Sequence, residues 1–77
     1  MESLLIKCGH IGEQKERLIA IGNNYLIFGN NGEQIFKVTK ITSHGNIFGT
    51  KHSKRNPSGC LAKNHRLNPV AIIKQLT

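Results

Sequence analysis

Clusters of glycine and asparagine cut this chain at short intervals: Gly22-Asn23-Asn24, Asn30-Asn31-Gly32 and His44-Gly45-Asn46 follow one another with only brief apolar runs between them. These residue types tolerate the positive φ that tight turns demand, so the chain reads as a small, mainly β protein of serial hairpins. Ser3–Cys8 is expected to form a first strand. Arg17–Ile21 and Tyr25–Gly29 flank Gly22-Asn23-Asn24 as two arms of one hairpin. Gln34–Thr42 alternates Phe36, Val38 and Lys40 against Ile35, Lys37, Thr39 and Ile41, which puts Lys37 and Lys40 on opposite faces. His44-Gly45-Asn46 then turns the chain back into Asn46–Thr50.

Two segments admit a second reading. Residues 13–21 carry Glu13 and Glu16 early and Gly22 where a helix would be capped, so a short helix competes there with the strand. The crowding of Leu18, Ile19 and Ile21 weakens the helical alternative. Over residues 69–76, Asn68-Pro69 has the form of an N-cap followed by proline at the first helical position, and Val70, Ile73 and Leu76 recur at every third residue. Against that helix stand the β-branched Val70, Ile72 and Ile73. Between these elements, Lys51–Leu67 is rich in Lys, Arg, His, Asn and Ser and is expected to be one long basic loop, a feature that is usually functional or disordered.

Seventy-seven residues allow one domain, 1–77, and exclude a multi-lobed enzyme or a large cofactor cradle. A chain of this size buries only about 60% of its unfolded surface, so the core is expected to be thin. Charge narrows the class further. Residues 1–33 hold three cations against four glutamates, whereas residues 34–77 hold Lys37, Lys40, Lys51, Lys54, Arg55, Lys63, Arg66 and Lys74 with no carboxylate at all. Such asymmetry points to a polyanionic partner, either nucleic acid (RNA or DNA) or an acidic protein surface. No apolar run is long enough to span a bilayer and Glu2 stands where a signal peptide carries positive charge, so a cytoplasmic protein without a membrane partner is expected.

The segment Gly32–Gly49 (GEQIFKVTKITSHGNIFG) resembles the central hairpin of small SH3-like barrels, the group that includes KOW modules and many small phage-encoded proteins. The resemblance covers about a quarter of the chain. It implies a five-stranded, strongly bent barrel whose loops engage RNA, DNA or protein.

The expected nucleic-acid contacts are Lys51, His52, Lys54, Arg55, Lys63, His65 and Arg66 in the basic loop, with Lys37 and Lys74 as outer contacts. Five loop cations neutralising five phosphates predict a salt slope of about −3.5 on single strands and about −4.5 on duplex DNA. Among the aromatics, Tyr25 lies beside a turn and is expected to be the one exposed for base stacking, while Phe28, Phe36 and Phe48 are assigned to the core. Asn56 and Asn64 are able to bond a base edge, though asparagines in this chain are explained first by turns.

Other chemistries fit less well. Cys8, His10, Cys60 and His65 make up the inventory of a tetrahedral zinc site, but Cys8-Gly9-His10 is tighter than the usual ligand gap and no Cys-x-x-Cys pair is present. No cofactor is therefore expected, and both cysteines are read as reduced thiols. A ribonuclease using His52 and His65 with Lys54 or Lys63 is the one enzymatic alternative, and the chain has no nucleophile elbow, phosphate loop or paired carboxylates. The sequence thus favours a non-enzymatic nucleic-acid-binding module. The alternative is a protein-interaction module, such as a phage-type inhibitor or regulator docking on an acidic surface of a host enzyme. Exposed strand edges in so small a sheet also allow a homodimer.

Overall fold

The computed structural model describes residues 2–9, 15–29, 32–55 and 59–76, with Cys60 placed by its backbone alone. Among them are seven strands: β1 (Ser3–Cys8), β2 (Lys15–Ala20), β3 (Asn24–Gly29), β4 (Gly32–Ile41), β5 (Ile47–Ser53), β6 (Cys60–Arg66) and β7 (Ile72–Gln75). They form two antiparallel sheets. β1 and β2 pair only with each other, and the other five lie in the order β6-β5-β4-β3-β7. The mainly β expectation holds. The larger sheet has five strands but is open, with β6 and β7 as its edges, rather than closed into a barrel.

Of four sequence readings, the two that stood open, the first and third, are decided, and the second and fourth are corrected. First, described residues 15–20 of the contested segment form a strand, not a helix; residues 13 and 14 lie outside the described set. Second, Gly22-Asn23-Asn24 does not close a β2–β3 hairpin. β2 pairs with β1, and the connection instead docks on β4, where Gly22 N–H donates to the Val38 carbonyl (2.8 Å) and Val38 N–H to the Asn23 carbonyl (3.1 Å). Gly22 makes that crossing at φ 91, in the left-handed region.

Third, the C-terminal helix is a single 3-10 turn, Pro69–Ala71, followed by β7. The Asn68 side chain does cap it, accepting from Val70 N–H at 3.3 Å. Extension beyond one turn loses to pairing of β-branched Ile72 with Ile27 in the sheet. Fourth, Lys51–Leu67 is not a long loop. Lys51–Ser53 completes β5 and Cys60–Arg66 is β6, so only residues 54–59 connect them. Neither stretch has strong strand propensity. Pairing overrides it, of Lys51–Ser53 with β4 and of Cys60–Arg66 with β5.

The core lies between the two sheets. Tyr25, Ile27, Phe36, Val38, Ile41, Ile47 and Ile72 from one face of the larger sheet pack with Cys8 and Ile19 from the hairpin, flanked by Leu4 and Ile6. Leu67 and the 3-10 turn close one end, and Gly9 N–H donates to the Pro69 carbonyl at 3.1 Å. Tyr25 is therefore no stacking platform: it is 0% exposed. Its body fills the core, and its hydroxyl reaches the backbone of β2.

Candidate nucleic-acid interface

Residues directly opposite each other in an antiparallel pair point to the same side of the sheet, so register tells which side chains face away from the hairpin. On the core side, Tyr25 pairs with Phe36, Val38 with Gly49 and Ile41 with Ile47. On the far side, Lys40 pairs with Phe48 and Phe48 with Arg66. A second far-side row runs Thr50, Lys37, Asn24, and a third runs His52, Ile35, Leu26, Lys74. Leu26 is buried yet takes no part in the core cluster, in keeping with its place beside Ile35 on this face.

A bulge in β4 changes what this face carries. Val38 pairs with Gly49 and Lys40 with Phe48, leaving Thr39 as the extra residue. The Thr39 hydroxyl donates to the Phe48 carbonyl at 3.3 Å and bridges the interrupted ladder. Strict alternation places Lys37 and Lys40 on opposite faces. The bulge reverses the parity after Thr39 and brings both to the far side, exposed. Four cations, Lys37, Lys40, Arg66 and Lys74, thereby share one face. Glu33 is the one carboxylate in the sequence of the larger sheet, and it is engaged by Lys54 at 3.1 Å.

The expected contacts divide. Lys37, Arg66 and His52 lie on the far face, and Lys74 joins them. His52 is tied into the sheet, its Nε2 2.8 Å from the Thr50 hydroxyl, while its Nδ1 is buried without a hydrogen-bond partner. Lys51 pairs with Phe36 and Ala62, and His65 with Gly49, so both stand on the hairpin side; Lys51 is half-buried and His65 exposed. His52 and His65 thus point to opposite sides and do not converge on one phosphate. Lys54 and Arg55 are exposed just after β5, and Lys54 is held in its ion pair. Lys63 is exposed in an irregular stretch of β6, and Asn56 lies outside the described residues.

Sequence reasoning missed Lys40 and Phe48. No local signal marks Thr39 as a bulge. Phe48 faces outward because the adjacent Gly49 is packed against the Lys37 carbonyl and the Phe36 ring, so the core side is taken at 49. Phe48 with Lys40 and Asn64 lines a shallow depression. Phe28, also assigned to the core, pairs with Glu33 on the far side and is 44% exposed.

The zinc candidates do not assemble as far as they are described. Cys8 is wholly buried and free, and burial pushes its thiol up from the ordinary range, partly opposed by the charge of Arg17 and its hydrogen bond. His65 is exposed on β6, and His10 and the side chain of Cys60 lie outside the described residues. Among the described residues, no group of three or more His, Cys, Asp or Glu is placed to hold a metal ion. Nor is any described helix long and apolar enough to cross a membrane. No family model, curated protein or solved structure matches the chain.

Proposed function

We propose that the protein is a non-enzymatic nucleic-acid-binding module whose contact surface is the far face of the five-stranded sheet. The reading rests on one observation: Lys37, Lys40, Arg66 and Lys74 share a face of a sheet in whose strands the one carboxylate, Glu33, is paired with Lys54. Clustered cations on a rigid sheet lose less side-chain and loop entropy on binding a polyanion than the same charges on a flexible loop. Backbone contacts dominate, so affinity falls steeply with salt. The SH3-like reading belongs to this proposal, supported by the pairing of β4 and β5 as a central hairpin within Gly32–Ser53 and by the bulge that bends it. A cytoplasmic setting suits the free thiol of Cys8.

The test is fluorescence anisotropy with labelled oligothymidylate and with duplex DNA across a salt series. Four phosphate contacts give a slope of about −2.8 on single strands and about −3.6 on duplex, shallower than five loop cations would give. A salt-insensitive or absent interaction, together with a stoichiometric complex with an acidic protein, would replace this reading with the protein-docking alternative.

A further inference from the structure

Lys40 on β4, Phe48 on β5 and Arg66 on β6 are successive partners in one row across three adjacent strands. With strands about 4.8 Å apart, the two cations stand on either side of the ring, with backbones about 10 Å from one another. Phe48 is half-buried and takes no part in the core cluster. Its backbone is held on both sides, by the Thr39 hydroxyl at its carbonyl and by the tight seat of Gly49 next to it. The ring is thus an aromatic platform on rigid structure.

Asn64 completes the depression. It has φ 51, the one positive φ outside glycine among the described residues. It falls where β6 is irregular, between the pairs Gly49–His65 and Lys51–Ala62. The exposed amide offers a donor and an acceptor together, the chemistry that a base edge reads.

We infer that this depression is a base-stacking subsite for single-stranded nucleic acid. An unstacked base lies on the Phe48 ring, Lys40 and Arg66 meet the phosphates on either side, and the Asn64 amide bonds the base edge. A duplex keeps its bases stacked and offers the ring nothing to cover, whereas every unpaired base has a π face. The inference rests on the nucleic-acid reading and narrows it to single strands.

The experiment measures anisotropy of the full chain with three labelled probes of equal length: oligothymidylate, an abasic oligonucleotide and duplex DNA. Oligothymidylate is expected to bind roughly tenfold more tightly than the abasic strand. Phe48→Leu removes that preference and leaves the salt slope unchanged, whereas Phe48→Tyr retains both. Should the leucine variant fail to fold by circular dichroism, Phe48→Gln serves in its place, and the comparison of probes on the unaltered chain needs no variant. Equal affinity for oligothymidylate and the abasic strand, or a preference that survives loss of the ring, overturns the subsite while leaving backbone binding intact. No binding to any probe at low salt overturns both readings.

Discussion

The hydroxyl of Tyr25 donates to the carbonyl of Leu18 at 3.2 Å and accepts from the amide of Ala20 at the same distance, so one phenol on β3 joins the two sheets through the backbone of β2. Tyr25→Phe keeps the volume and leaves both backbone groups without this partner. The expected loss is about 1–2 kcal/mol, read from the urea midpoint at unchanged m-value. Binding to oligothymidylate at low salt stays as it was, because the phenol is on the side away from the cations.

Two glycines are expected to respond very differently to alanine. At Gly49 an added Cβ meets the Lys37 carbonyl, which cannot move without disturbing the β4–β5 ladder, and comes within 2.7 Å of the buried Phe36 ring. Gly49→Ala should cost at least about 3 kcal/mol, enough to leave a domain this small largely unfolded. At Gly22 the space is open and only the φ of 91 is unfavourable. Gly22→Ala should therefore fold, at a cost of about 1–2 kcal/mol. Thermal melts of the two variants side by side decide it.

Charge substitutions separate the sheet face from the connection after β5. Lys37→Gln, Lys40→Gln and Arg66→Gln are each expected to flatten the single-strand salt slope by about 0.7. Lys54→Gln should leave the slope nearly unchanged, since Lys54 is held by Glu33. Glu33→Gln releases Lys54 and should strengthen binding at low salt. Equal slope losses at Lys54 and Lys40 would return the contact surface to the connection.

Burial raises the Cys8 thiol above its ordinary value of 9.0, and Arg17 offsets this only in part. The folded state therefore holds its proton where the unfolded chain begins to lose it. The resulting stability is present below about pH 9 and is lost as pH climbs from the unfolded value through the folded one. Urea midpoints of the unaltered chain and of Cys8→Ala should draw together as pH rises above about 9. A constant gap would show that the thiol does not titrate against folding.

Much of this architecture is legible in the residues, and the failures have physical causes. Turn chemistry located His44-Gly45-Asn46, where Gly45 N–H donates to the Thr42 carbonyl at 3.0 Å, and the long alternating run became β4. Turn residues do not reveal their partners, however: Asn23 and Gly22 engage Val38 rather than closing a hairpin. Strand formation at Lys51–Ser53 and Cys60–Arg66 depends on pairing between the two stretches, which composition conceals. The candidate interface suffered most. The segregation of charge was visible and Lys37, Arg66 and Lys74 were expected contacts, but Lys40 joins them only through the bulge at Thr39, and the aromatic beside it is Phe48 instead of Tyr25.

The irregular pairing of β6 bears on how copies of the chain can meet. This outermost strand departs from regular register twice along its length, and at the opposite rim β7 is four residues long with its Ile73 carbonyl engaged by Arg17. Neither rim presents an uninterrupted template on which a neighbour's backbone could extend the ladder. Copies of the chain brought close together therefore do not extend the larger sheet from one molecule into the next.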